Sequence, residues 1–307
     1  MNIKHNLIIQ TKSMILRFTQ YKKGQSNNQC GEVMFIAKDT PVLKYPGLVD
    51  RLKAIIGTYY IAKKNDMSFS IYHTSSFLLE KYLVPNIVDW KCKKELYWTK
   101  NVRFFEYDGR KELPVLDPQN RYHCWFFTGY DILEKNNIID WENQWGILFH
   151  ELFRPSEYLA NLLRRYKPNE PYIAVHIRFV NALEHFEDGY DNNLSEKQQK
   201  VLIEKCLKQL SEIHNKDARL MIIFSDSIRF LRIAESKGYK TLGTQNIGHI
   251  SFSESSEVYD KTFLDFFAIA NAEKLYSIKG GPLYNSVFPK YAAMVNNIEH
   301  ERIYLEK

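Results

Sequence analysis

The sequence lacks the features that mark disulfide-rich and membrane-spanning proteins. Its four cysteines, among 307 residues, are far apart and form no CxxC pair, so we expect reduced, mostly buried thiols. It contains no run of about 18 apolar residues, and we therefore predict no membrane-spanning helix. Because no secretory signal pattern is visible, we expect a cytoplasmic protein whose contact with a membrane is at most peripheral, on the inner face.

The composition is that of a globular protein with an anionic partner. Apolar residues make up 45% of the chain and charged residues 25%, which is typical of folded domains, and the length favours two of them. The net charge of +6 suits a phosphorylated small molecule, a lipid headgroup or a nucleic acid. Because no basic run is interleaved with aromatic residues, we expect no nucleic-acid partner.

Hydrophobic periodicity predicts two successive series of strands and helices. In the first, 32–37 and 68–73 are buried strands on either side of an amphipathic helix over 48–65. The segment SMILRFTQ (13–20) is compatible with a strand. The proline-containing segment KPNEP (167–171) is the best linker. We therefore predict an α/β fold of two Rossmann-like domains facing a cleft, with residues 1–167 in the first and 168–307 in the second.

The strand YIAVHIRF, which begins at Tyr172, places His176 and Arg178 at its carboxyl end. Ligands of parallel α/β sheets bind beyond this end of the strands, and a guanidinium grips phosphate with two parallel hydrogen bonds. The alternative is an arginine that pairs with a structural carboxylate, next to a histidine satisfied in the core. The sequence leaves both interpretations open.

Two further strand ends carry polar residues. Asp226 follows the segment MIIFS at a strand end, where its carboxylate could accept hydrogen bonds from a ribose or a base. Alternatively, Ser225 or Asp226 could cap the next helix. The segment SIKGGPLYNSVF contains Gly280 and Gly281, with Ser286 near a predicted helix start. Such a helix start is suited to phosphate, although a tight turn and a cap explain the same residues.

The loop HFEDGYDNN (185–193) concentrates acidic residues, among them Glu187, Asp188 and Asp191. It could supply a general base or metal ligands, or be an ordinary solvated loop, and its spacing does not match a calcium loop. No DxD pair, which many metal-dependent sugar transferases use to hold a cation, occurs in the sequence. We therefore expect no metal and no cofactor.

Several of these segments together resemble one family. The first glycine loop and helix of that family are similar to PGLVDRLKAIIGTYYIAKKN, and its HxRRxD motif is similar to VHIRFVN. The strand end that follows this motif is similar to FSDS, and the closing motif of the family is similar to FLDFFAIANAEKLYSIKGGPLYNSVFPKYA. FLLEKYLVPNIVDW and LFRPSEYLANLL resemble the segments between. The family is the inverting fucosyltransferase superfamily of the GT-B type, which includes α1,2-, α1,6-, nodulation and protein O-fucosyltransferases. The resemblance covers roughly residues 45–300. The chain departs from HxRRxD at Phe179 and Asn181, and its closing loop is longer.

The resemblance implies a donor, GDP-fucose, held mainly by the second domain, and a glycan acceptor on the first, with a lipid-linked glycan among the options. Arg178 would stabilise the leaving diphosphate, and an acid of the following loop would be the general base, Glu187 before Glu184 and Asp188. The residues implied to contact the donor are His176, Arg178, Asp226, Asp265, Ser286, Phe288, Gly47, Asp50 and Arg51. The alternatives are another nucleotide sugar on the same scaffold, or a protein that binds a sugar nucleotide or glycan without catalysis.

Overall fold

The computed structural model describes residues 3–24, 30–92, 95–184, 193–243, 247–248 and 255–305. The chain divides into two compact units, Met1–Arg154 and Pro155–Lys307, here called the N-terminal and C-terminal units. The division lies thirteen residues before the predicted boundary at 167/168. No helix among the described residues is both long enough and apolar enough to cross a bilayer.

The N-terminal unit is an α/β unit. Its elements are α1 (Ile3–Gln20), β1 (Lys22–Lys23), β2 (Glu32–Ala37), α2 (Leu48–Lys64), β3 (Ser68–His73), α3 (Leu79–Tyr82), β4 (Leu83–Pro85), β5 (Tyr97–Trp98), β6 (Val102–Tyr107), β7 (Arg121–Phe127), α4 (Ile132–Lys135) and α5 (Trp141–Leu152), followed by β8 (Phe153–Pro155) at the boundary.

Its main sheet is parallel, in the order β3-β2-β7-β6. Helix α2 packs so closely on this sheet that a Cβ at Gly57 would lie only 2.3–2.6 Å from atoms of the Tyr107 side chain. Only glycine allows this approach. The segment 13–20 belongs to α1, so its interpretation as a strand is wrong. Leu16 of α1 is buried and packs with Met34 and Trp125.

The C-terminal unit alternates strands and helices. Its elements are α6 (Glu157–Tyr166), β9 (Tyr172–Ile177), a short 3-10 turn (Val180–Ala182), α7 (Glu196–Lys216), β10 (Leu220–Ser225), α8 (Ile228–Ser236), β11 (Lys240–Thr241), α9 (Ser256–Ala270), β12 (Lys274–Lys279), α10 (Phe288–Val295) and β13 (Glu299–Tyr304).

Helix α6 packs against α9, which explains why it belongs to this unit although it precedes the proline-containing segment. Local capping fixes the starts of two helices. The Ser156 side chain accepts a hydrogen bond from the backbone of Leu159 at the start of α6, and Ser195 forms a capping box with Gln198 at the start of α7.

The order of the C-terminal sheet locates the candidate site. The five strands are parallel and lie in the order β11-β10-β9-β12-β13. The chain therefore builds outward from β9 in one direction and then resumes at β12 on the other side. This reversal between β9 and β12 is a topological switch point, beyond whose carboxyl ends α/β proteins bind ligands.

Candidate functional site

His176 is the last but one residue of the buried strand β9, at the switch point. It is itself buried, and its ring stacks on that of Phe288, the first residue of α10, with centroids 6.0 Å apart and planes at 26°. Burial lowers the pKa of His176 to about 3, and the nearby charges of Arg178 and Lys279 act in the same direction. The imidazole is therefore neutral at pH 7 and offers hydrogen bonds rather than charge.

Arg178 is held in place from two sides. Its Nε lies 3.7 Å from Oδ2 of Asp226, and its Cζ lies 5.4 Å from the centre of the Tyr284 ring. Its carbonyl also accepts a hydrogen bond of 2.9 Å from the Tyr284 backbone. The loop after β12 thus packs on the turn after β9, and it keeps the guanidinium at the switch point.

Asp226 braces the turn that carries Arg178. Its carboxylate accepts hydrogen bonds of 2.8 Å from the backbone N–H groups of Phe179 and Val180. Val180 adopts φ +52°, which is unfavourable for a β-branched residue and needs such support. Burial raises the pKa of Asp226, while Arg178 and the two backbone donors oppose the shift.

The cap of α8 is not the predicted one. Neither Ser225 nor Asp226 caps this helix: the side chain of Ser227 does so, by accepting a hydrogen bond from the Phe230 backbone. A serine one residue later has the position for capping, which leaves the carboxylate of Asp226 to face the neighbouring strand end.

Position 179, where the HxRRxD motif has its second arginine, contributes no charge. Phe179 is 0% exposed, and its ring lies 4.9 Å from that of Phe230 in the core. A second cation comes instead from Lys279 at the end of β12, which the sequence analysis missed. Its position as the last residue of an apolar strand, at the same edge as Arg178, was the signal that could have identified it.

Lys279 organises the loop between β12 and α10. Its Nζ donates to Oδ1 of Asn285 at 2.7 Å and to the carbonyl of Ser286 at 3.1 Å. Burial lowers its pKa, and the charges of Arg302 and Lys290 add to this effect. The loop turns through Gly280 at φ +91°, in the left-handed region that favours glycine.

Ser286 and Phe288 lie at the start of α10. The Oγ of Ser286 accepts a hydrogen bond of 3.2 Å from the Phe288 backbone, and the ring of Phe288 contacts Phe266 of α9 edge-on. Through the stacked rings of Phe288 and His176, the start of α10 lies beside the end of β9. The structure therefore brings His176, Arg178, Asp226, Ser286 and Phe288 together around the switch point.

Asp265 is part of an ion pair within α9. Its carboxylate oxygens each lie 2.5 Å from Nζ of Lys261, one turn earlier on α9; the Lys261 side chain is buried and that of Asp265 is half-buried. Burial raises the pKa of Asp265 and Lys261 opposes this. The pair precedes Phe266, so it fixes the segment of α9 that supports Phe288.

The acidic residues predicted as general bases are only partly described. Oε1 of Glu184 accepts a hydrogen bond of 3.4 Å from the Arg229 backbone at the start of α8. Glu187 and Asp188 lie outside the described residues, as does Asp191. Within the described ranges, no cluster of three or more His, Cys, Asp or Glu side chains is arranged to hold a metal ion.

The predicted residues of the N-terminal unit surround the start of α2. Gly47 is the N-cap residue of this helix. Arg51 is 1% exposed and donates to the carbonyls of Pro46 at 2.7 Å and Ser75 at 2.9 Å. These bonds tie the guanidinium to the loop before α2 and to the loop after β3.

Asp50 is more exposed to solvent than Arg51. It forms an ion pair of 2.6 Å with Lys53, and a Cβ at Gly129 would lie 2.5 Å from its carboxylate. Gly129 follows β7, and the order β3-β2-β7-β6 places the switch point of this sheet between β2 and β7. Asp50 therefore lies beside the carboxyl ends of the strands at the switch point of the N-terminal sheet.

Comparisons with known proteins agree on the fold. No protein-family model matches the chain, and no curated protein sequence matches it. Among solved structures, a NodZ α-1,6-fucosyltransferase soaked with GDP-fucose is similar with a TM-score of 0.53 and 10% identity, over 87% of this chain and 93% of that one. The same enzyme co-crystallised with GDP gives 0.54 and 11%, over 86% and 92%.

An arginine-to-lysine mutant of Arabidopsis thaliana FUT1 in complex with GDP is similar with a TM-score of 0.53 and 11% identity, over 92% of this chain and 72% of that one. These similarities confirm the predicted GT-B-like α/β fold class; at 10–11% identity they concern the fold alone.

Proposed function

We propose that this chain is an inverting glycosyltransferase that moves fucose from GDP-fucose to a hydroxyl group of a glycan. The observation that carries the proposal is the braced arginine at the switch point of a fucosyltransferase-like fold. Arg178 is fixed by Asp226 and Tyr284 beyond the end of β9, where an α/β sheet binds its nucleotide.

The chemistry of transfer explains the need for a fixed cation. When the bond between fucose and the diphosphate breaks, negative charge grows on the leaving GDP. A guanidinium already held in position stabilises that charge without reorganisation at the moment of reaction. Lys279 adds a second positive group at the same edge of the sheet, so the pair supplies the charge that a DxD-bound metal supplies in other transferases.

The remaining residues of the site have supporting roles in this proposal. His176 is neutral and offers a hydrogen bond, while Ser286 and Phe288 cover the phosphates at the start of α10. Asp226 acts on the donor through Arg178, since both its oxygens already accept backbone hydrogen bonds. Asp265 supports the donor site through the α9 segment that holds Phe288.

In this proposal the acceptor binds to the N-terminal unit and the donor to the C-terminal unit. The sequence-based division assigned these roles to residues 1–167 and 168–307, respectively. Asp50 at the edge of the N-terminal sheet is the residue placed to meet a ligand, whereas Gly47 and Arg51 shape the loop around it. Glu187 remains the first candidate for the general base, before Glu184 and Asp188. The acceptor is a glycan, free or lipid-linked.

A nucleotide screen by thermal shift tests the donor assignment. A ligand that binds only the folded state raises the melting temperature, by an amount equivalent to about 2.7 kcal/mol at a concentration of 100 Kd. We expect GDP and GDP-fucose to raise it more than UDP, UDP-sugars or CMP ligands. An equal or larger rise with UDP-sugars would point to another donor and contradict the assignment.

A non-catalytic sugar-nucleotide-binding protein is the second candidate, favoured by the burial of Phe179 in place of the family's second arginine. Slow hydrolysis of GDP-fucose by the purified protein, lost in Arg178→Ala, supports the enzyme. Tight binding of GDP without turnover on any glycan or water supports the binding protein.

A further inference from the structure

Helix α1 carries charges of one sign. Its 18 residues contain Lys4, Lys12, Arg17 and His5 but no aspartate or glutamate. Of the nearby carboxylates, Glu95 forms an ion pair with Lys22, and Glu106 lies 3.6 Å from Nζ of Lys111 and within hydrogen-bond distance of the His5 ring. This part of the N-terminal unit therefore presents a positively charged surface.

The same helix has two apolar faces. One consists of Leu16 and Ile9, which pack on the core of the unit. The other points outward: Phe18 is 80% exposed, Leu7 63% and Met14 62%. At 100° per residue these three side chains lie within about 40° of one another.

Ile8 and Ile15 widen this outward stripe, and both are exposed. Single exposed apolar residues are ordinary on protein surfaces, but these five lie within about 120° of one helix face, and such a concentration of exposed apolar side chains marks an interaction surface. The stripe includes a phenylalanine, which is frequent on the apolar face of helices that lie in a membrane interface.

We propose that α1 is a docking surface for an anionic lipid membrane, with the outward stripe in the interface and its basic residues near the headgroups. An apolar stripe combined with cations is the pattern of helices that lie in the plane of a bilayer surface. A second copy of the chain fits less well, because two such helices packed together would oppose positive charge with positive charge. The inference does not depend on the donor assignment.

Vesicle flotation tests the docking surface. The full chain is mixed with vesicles of phosphatidylcholine alone, or of phosphatidylcholine with phosphatidylserine, and the fraction that floats is measured. We expect binding to the vesicles that contain phosphatidylserine, weaker binding to neutral ones, and release as salt shortens the range of the electrostatic attraction.

Two sets of variants separate the apolar and the electrostatic contributions. Replacement of Leu7, Met14 and Phe18 by glutamine should abolish binding to both kinds of vesicle. Lys4→Gln with Lys12→Gln should weaken binding to anionic vesicles by roughly 10- to 30-fold, since each cation near the surface contributes about 1 kcal/mol. The matched controls are Val201→Gln and Lys208→Gln on α7, whose side chains are exposed in the other unit, and these should bind as the wild type.

Three outcomes would overturn the proposal. The first is that the wild type does not float with anionic vesicles, and the second is that the triple glutamine variant binds them as well as the wild type. The third is a stable dimer in sedimentation that Phe18→Gln dissociates. The last would identify a second copy as the occupant of the stripe. Nucleotide-induced thermal shifts measured on the same variants keep the two proposals separate, because loss of vesicle binding with an unchanged GDP response concerns α1 alone.

Discussion

Removal of the negative charge of Asp226 should destabilise the C-terminal unit and weaken its hold on Arg178. Asp226→Asn preserves the shape but replaces one acceptor oxygen by an NH2 donor. One of the two N–H groups that now lie 2.8 Å from the carboxylate would then face another donor. An unmade hydrogen bond to a charged group costs about 1.5–3 kcal/mol.

The ion pair adds to this cost. Removal of one partner of a buried pair costs about 3–5 kcal/mol, but the 3.7 Å separation from Arg178 is loose and both effects arise from the same carboxylate. We therefore expect the free energy of unfolding to fall by about 3 kcal/mol. For a unit of this size, this lowers the melting temperature by about 6–12 °C.

Urea denaturation and thermal melting of the same preparations measure the effect. Glu212→Gln is the matched control, because it neutralises an exposed carboxylate of the same unit whose pair with Lys208 spans 3.7 Å; it should change stability by less than about 1 kcal/mol. If Asp226→Asn also changed stability by less than about 1 kcal/mol, the bracing role of Asp226 would be refuted.

Three further predictions follow from the site and the core. Arg178→Ala should lower kcat by roughly 100- to 1,000-fold in a protein that remains folded, with partial recovery in Arg178→Lys and none of this loss in the exposed Arg232→Ala; near-normal kcat in folded Arg178→Ala would remove it from the mechanism. Turnover should persist in EDTA, and a loss restored by magnesium or manganese would show metal dependence. The pKa of His73, His123 and His176 is lowered to about 3 by burial. The unfolded chain therefore binds more protons below about pH 6.5, and stability should fall by up to about 1.4 kcal/mol per pH unit for each histidine as pH decreases towards 3. Urea midpoints that stay constant from pH 8 to pH 5 would contradict this.

The elements that the sequence predicted correctly are those with local causes. The predicted strands 32–37 and 68–73 are β2 and β3 from their first to their last residue. The side chains of Ser156 and Ser195 bond to backbone only three residues away, so their helix starts could be recognised from sequence alone.

The element that the sequence analysis missed at the end of the chain has no such local signal. EHERIY (299–304) is too polar to suggest a strand, yet it forms β13. Glu299 and Glu301 lie 2.5 and 2.9 Å from Nζ of Lys274 on the neighbouring β12. Its polar side chains are therefore satisfied across the sheet, by a residue about 25 positions earlier.

The sequence by itself determined the alternation of strands and helices, and with it the strand ends at which His176, Arg178 and Asp226 lie. Only the tertiary structure decided what those residues do. The order of the strands placed the loop after β12 beside the turn after β9, aligned Lys279 with Arg178, and directed Asp226 to the backbone of Val180 instead of a helix start. The reason is that helix caps and hydrophobic periods depend on residues a few positions apart, whereas the partners of a buried charge come from distant segments that meet only when the sheet is assembled.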